Sequence, residues 1–198
     1  MSIYRVTIIL LIIASCAFGW QITKELQQEI NIKKAAMAKA PKDPNARFDL
    51  AITYAYTNNI IDGWNELKKV NDMDPNFKNI AYKIWAKKVI ADPGDWKVRF
   101  RYAFALYFNG NKQEAVKELK NVLISDPYNV WAYGYISLIY GEMGQVDEAI
   151  EAAKKGLKID DRVAALHLLL AEGYYKKGDS WNGFMERTTA LRQKMQGY

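Results

Sequence analysis

A step of 34 residues constrains this chain more than any other feature. Gly110, Gly144 and Gly178 fall on it, and so do the columns Ala103, Ser137, Ala171 and Leu106, Tyr140, Tyr174. A fixed period of that length marks a unit of two short helices, and one such unit cannot bury its apolar face alone. Stacked copies share a continuous core instead. The chain is therefore expected to be all-α, an α-solenoid of helix–turn–helix repeats. Solenoids of this kind hold a partner along an extended surface.

The repeat is legible residue by residue. Over 96–109 apolar residues recur at helical spacing, with Tyr102, Ala103 and Leu106 on one face, and Gly110 stops the helix. Glycine is favoured there because the chain leaving a helix often turns through a left-handed conformation that a Cβ opposes. A second helix over about 113–124 buries Ala115, Leu119 and Val122 at i, i+4 and i+7. Asp126-Pro127 ends it, because proline pushes its predecessor out of helical φ/ψ. The pattern recurs over 130–161 and again from 164, with Asp160-Asp161 as the cap in place of Asp-Pro. Small residues at Ala103, Ser137 and Ala171, and at Ala115, Ala149 and Gly183, fall where two helix axes come nearest. A fourth copy covers 44–75. Ala51, Tyr54, Leu67 and Val70 hold the same columns, Gly63 the small position, and Asn58 the turn. Asparagine is the next best residue at positive φ.

These residues resemble the tetratricopeptide repeat (TPR) family from 44 to about 197, within a domain spanning 20–198. Repeats are expected at about 44–77, 96–129, 130–163 and 164–197. The resemblance implies a right-handed superhelix whose first helices line a concave groove, and a protein-binding role. One interruption stands out. Between Pro75 and Pro93 there is room for a single extra helix, about 76–91, where a full repeat needs two. Antiparallel hairpins alternate direction, so one extra helix points the next repeat the wrong way unless the array bends, here near Asp92-Pro93. A further amphipathic helix precedes the first repeat over 22–40, and the whole reads as one continuous solenoid.

Half of the residues are hydrophobic and a quarter charged, which excludes a disordered chain. The net charge of +6 carries no block of like charges. It suits an acidic protein partner or an anionic envelope surface; with no basic stripe and no nucleic-acid motif, no nucleic-acid partner is expected. The first twenty residues differ from all that follow. Arg5 precedes an apolar run over 6–13, and small residues follow at Ala14, Ser15, Ala17 and Gly19, the layout of a secretory signal over 1–19. Three fates remain open: cleavage after Gly19, lipidation of Cys16 in a sequence that resembles a permissive bacterial lipobox, or retention as a membrane anchor. All three export the body to the periplasm or the membrane-associated cell envelope, with membrane contact only through this segment. Cys16 is the one cysteine, so no disulfide supports the body.

Catalysis finds little support. The single histidine, His167, sits on a packing face and reads as structural. No clustered ligands suggest a metal, and no glycine-rich phosphate loop suggests a cofactor. The groove is more informative. Lys97, Phe100, Phe104, Tyr107 and Phe108 are expected to face the concave side, with Phe100 and Phe104 alternatively packing on the extra helix. Gly134, Leu138 and Gly141 share one helix face, flanked by Trp131 and Tyr135. A glycine inside a helix costs about 1 kcal/mol relative to alanine, so two on one face require close approach of a neighbouring helix or a bound chain. Lys97 and Arg101 resemble part of the basic clamp with which some TPR domains hold a C-terminal carboxylate. Phe48, Ile52, Phe100 and Phe104 take the other clamp positions, which implies an apolar or aromatic ligand. The expected function is a non-catalytic protein-interaction scaffold, adaptor or assembly factor of the bacterial cell envelope, binding a protein or peptide at Lys97, Phe100, Arg101, Phe104, Trp131, Gly134, Tyr135 and Leu138. Two alternatives stand beside it: a homo-oligomer whose groove another copy fills, and an accessory subunit of an envelope enzyme complex.

Overall fold

Four tight turns, each with one residue at positive φ, set the architecture: Asn58 (61°), Gly110 (90°), Gly144 (78°) and Gly178 (78°). At each turn the N–H of the following residue donates to a carbonyl five residues back. The pairs are Asn59 to Tyr54 (3.2 Å), Asn111 to Leu106, Gln145 to Tyr140 and Asp179 to Tyr174 (2.9 Å each). This Schellman-type bond satisfies a helix-end carbonyl that would otherwise lack a donor. The computed structural model describes residues 22–196. The segment 1–19 expected to direct export, and Cys16 within it, lie outside the described residues.

Among the described residues there are ten α-helices and no strands. They are α1 (Lys24–Lys39), α2 (Pro44–Ala55), α3 (Ile60–Met73), α4 (Lys78–Ala91), α5 (Trp96–Phe108), α6 (Lys112–Ser125), α7 (Val130–Glu142), α8 (Val146–Ile159), α9 (Ala164–Lys176) and α10 (Ser180–Met195). The tight turns make hairpins of α2–α3, α5–α6, α7–α8 and α9–α10. Aspartates close the wider bends: the N–H groups of Asp74, Asp92, Asp126 and Asp160 bond the carbonyls of Val70, Lys88, Val122 and Gly156. Side chains then cap the helices that follow two of these bends. Asp95 accepts from the N–H groups of Lys97 (2.7 Å) and Val98 (3.2 Å), and Asn129 from that of Ala132 (2.9 Å).

The single helix α4 interrupts the array, and it reverses what precedes it. It packs chiefly on α5, burying Ala81, Trp85 and Val89. In the later repeats the first helices run side by side in one direction: Phe104 meets Tyr135, and further along Tyr107 bonds Glu142. Helix α2 runs the other way against α5. Phe48, near its start, meets Phe108 at the end of α5, while Tyr56 meets Trp96 and Phe100 at the beginning. One core runs through both parts, from Phe48 and Trp85 to Ile139 and Leu166. An added Cβ at Gly144 meets nothing within 4 Å, so only the backbone conformation resists a side chain there. Gly144→Ala should therefore lower stability by about 1 kcal/mol and the melting temperature by about 2–4 °C, read in a thermal melt.

A closed groove and the cleft it leaves

Reversal of α2 places it on the concave face of α5, and that face is already occupied. Phe100 and Phe104 are buried, with stacked rings 5.3 Å apart, edge-on to Tyr135 at 5.7 and 4.5 Å. Tyr56 of α2 closes over Phe100 at 5.4 Å, and the Tyr135 hydroxyl donates to the carbonyl of Ala55 (3.1 Å). Phe100 and Phe104 therefore form core, packed on α2 and α7, and do not face a partner. They were expected either on an open groove or packed against the extra helix; they are buried in one core with Ala81 and Trp85 of that helix, and the turned hairpin is the physical reason the groove is closed over them.

The basic pair does hold carboxylates, but those of its own chain. Arg101 is only 3% exposed. It donates to Asp49 through Nε, to Glu29 (3.0 Å) and Thr53 (2.8 Å) through Nη2, and to the carbonyl of Lys97 (3.0 Å). Lys97 pairs with the other oxygen of Glu29, Tyr56 donates to Glu29, and Lys33 pairs with Asp49 at 2.7 Å. Burial alone would raise both carboxyls. Hydrogen bonds from Lys97 and Tyr56 and the Arg101 charge hold Glu29 below its ordinary value; Arg101 and Lys33 do the same for Asp49. Burial also pushes the Tyr56 phenol well up, so it remains a donor. Helices α1, α2 and α5 are joined through this cluster, and Arg101 cannot reach a partner's carboxylate.

Beyond the closed part a cleft of about 380 Å³ remains. Its floor is Trp131, Gly134, Tyr135 and Leu138 of α7, four of the residues expected in the groove. Leu166, Leu168 and Leu169 of α9 form one wall, and Ile60, Ile61 and Trp64 of α3 the other. Leu168 and Ile61 are 52% and 70% exposed, so the apolar surface opens to solvent. The α9 wall was within reach of sequence reasoning, because Leu168 lies one period after Gly134. The α3 wall was not, since it arrives only through the reversed hairpin.

Glycine contacts separate packing from access. A Cβ on Gly156 would come within 2.7 Å of Leu166, on Gly173 within 2.5 Å of Ile150, and on Gly183 within 2.7 Å of Tyr175. Those three glycines admit a neighbouring helix. Gly134 does not: its Cβ would meet only Leu166 Cδ2, at an ordinary 3.5 Å. His167, by contrast, is fully engaged, with Nδ1 2.6 Å from Glu186 and Nε2 2.7 Å from the carbonyl of Asp161. Among the described residues no group of three or more His, Cys, Asp or Glu is placed to hold a metal, and no helix is long and apolar enough to cross a membrane.

Repeat period, turn chemistry and helix pairing together define a tetratricopeptide-repeat fold, an all-α solenoid with one extra helix. Solved structures agree. A crystal structure of MamA superimposes with a TM-score of 0.59 at 21% identity, covering 87% of this chain and 90% of that one. TTC0263, a thermophilic TPR protein of Thermus thermophilus, gives 0.57 at 19%, covering 85% and 82%. No family model matches. Among curated proteins the chain is similar to the TPR repeat-containing protein YpiA of Bacillus subtilis, 29% identical over 99 residues, which are 50% of this chain and 23% of that protein. It is also similar to Protein IFIT1 homolog B of Homo sapiens, 25% identical over 156 residues, 77% of this chain and 31% of that protein. The chain thus spans less than a third of the length of these curated relatives.

Removing the Arg101 side-chain charge tests the cluster. Arg101→Met leaves Asp49 and Glu29 buried without their guanidinium and should cost about 3–5 kcal/mol in urea unfolding. Both carboxyls are depressed in the fold, so their contribution is complete above about pH 5 and is lost as pH falls through their folded values. The parent should therefore destabilise more steeply than the variant in that acid window.

Proposed function

We propose that this protein is a non-catalytic interaction scaffold that receives an apolar, helical or extended segment of a partner protein in the cleft between α3, α7 and α9. The observation that carries the reading is Gly134. It sits inside a continuous helix whose neighbours would tolerate a side chain, and it opens directly onto the cleft. Such a glycine costs helix stability without a packing return, which close approach of a bound segment explains. The cleft is nearly all apolar, so affinity rests on aliphatic or aromatic anchors rather than on a carboxylate. The layout of residues 1–19 supports a place for this scaffold in the cell envelope, as an exported adaptor or assembly factor.

Filling the cleft tests the site. Gly134→Leu should melt no lower than the parent, because leucine favours helix and the site has room. Peptides selected on the parent from a display library should carry large apolar residues at helical or alternate spacing. Their affinity for Gly134→Leu and for Leu168→Asp should fall roughly tenfold or more, the loss of about one buried anchor. Equal binding to well-folded variants rules the cleft out. For export, mass spectrometry of the native protein should find a chain beginning at Cys16 with lipid, at Phe18 or at Trp20, or an intact membrane-bound form. Full-length soluble cytoplasmic protein contradicts it.

A further inference from the structure

The outward face of α10 carries an apolar stripe that nothing among the described residues covers. Trp181, Phe184, Met185, Leu191 and Met195 are 69, 55, 46, 60 and 81% exposed. At 100° per residue they lie within roughly 60° of one line along the helix, with Thr188 at its centre. The stripe runs for about 20 Å.

Comparison with the equivalent helices shows that this is not simply the seat for one more repeat. The Phe184 column holds Val116 in α6 and Ile150 in α8, both buried. But the Trp181 column holds Gln113 and Asp147 there, and the Met185 column Lys117 and Glu151, all outside the core. Polar columns have become apolar. Conversely, Arg187 stands where Leu119 and Ala153 are buried, so a charge now sits where a further repeat would pack.

Charge identifies the occupant. Arg187, Arg192 and Lys194 are exposed along α10. The helix has one acidic residue, Glu186, which is turned toward His167 at 2.6 Å. Trp, Phe, Leu and Met on one face with Arg and Lys beside them is the composition of a helix that lies in a bilayer interface. At the opposite end of the described chain, the exposed face of α1 carries Lys24, Glu25, Gln28 and Lys34 around one exposed apolar residue, Ile32, and no continuous apolar stripe. We propose that the outer face of α10 docks on an anionic membrane surface. The apolar stripe enters the boundary between headgroups and acyl chains, and the three basic side chains contact lipid phosphates. This is a second surface, on a different helix from the floor of the cleft and bordering it at Leu168.

The test places a reporter in the stripe of the full chain. Thr188→Cys in a Cys16→Ser background carries an environment-sensitive fluorophore; the same label at Gln28→Cys on α1 is the control. With phosphatidylcholine vesicles containing phosphatidylglycerol, emission at position 188 should shift to the blue and be quenched by brominated acyl chains, while position 28 stays aqueous. Phosphatidylcholine alone should give a much smaller response. Arg192→Glu with Lys194→Glu, and separately Trp181→Ser with Leu191→Ser, should each weaken the response about tenfold or more. Circular dichroism melts should be unchanged, since all four side chains are exposed. An aqueous label at position 188 on vesicle-bound protein overturns the proposal. So does a blue shift that appears without lipid and follows protein concentration in light scattering, which would assign the face to self-association. Equal response to neutral and anionic vesicles also overturns it.

Discussion

The guanidinium of Arg101 is the point on which this molecule turns. It lies between Asp49 and Glu29, and every group around it is engaged: Thr53, the Lys97 carbonyl, Tyr56, Lys33 and the Lys97 ammonium complete the set. A buried ion pair adds little net stability, because desolvating the charges offsets most of their attraction. Its effect here is on position. Only one docking of α1 and α2 on α5 satisfies all of these groups together, and a shifted docking strands at least one charge. Apolar contacts such as Phe48 with Phe108 supply the attraction, and the ion cluster selects the arrangement.

That arrangement decides which part of a TPR groove remains. Regular stacking would leave the first helices open along the whole concave side. The odd helix α4 turns the leading hairpin so that α2 fills the α5 portion and α3 forms a wall opposite α7 and α9. The chain acts as its own ligand over part of the groove, with Asp49 and Glu29 in the role of an incoming carboxylate. What is left open is short and apolar. On the proposed reading a partner segment would place only a few side chains there, and recognition would depend on shape at Gly134 and Leu168 more than on charge.

The fold was largely legible because its signals are local. The 34-residue step, the turn residues at 58, 110, 144 and 178, and the room for one helix before Pro93 can each be read within one repeat or between neighbouring ones. The closed groove was not legible, because its cause lies far along the chain. Arg101 meets Asp49 across 52 positions and Glu29 across 72. Lys97 and Arg101 were recognisable as a pair of cations that would hold carboxylates; which carboxylates depends on the direction of α2. Parity predicted a disturbance at α4 but not that the disturbed hairpin would return over the groove. Of the eight residues expected to bind a partner, Phe100, Arg101 and Phe104 became core and Lys97 part of the ion cluster, while the four on α7 line the cleft.

Solenoid ends require their own solution, since each terminal repeat lacks a neighbour on one side. Ahead of the first hairpin α1 buries Ile30 against Leu50 and Tyr54, and its outer face is mostly polar, with Ile32 the exposed large apolar residue among Lys24, Glu25, Gln28 and Lys34. The trailing helix behaves differently. Its inner side is packed at two points, with Ala190 2% exposed and Gly183 closed by the Tyr175 ring. Its outer side keeps large apolar groups where a solubilising cap would place charges. Leu168 borders both this surface and the cleft, so the two apolar regions meet along α9.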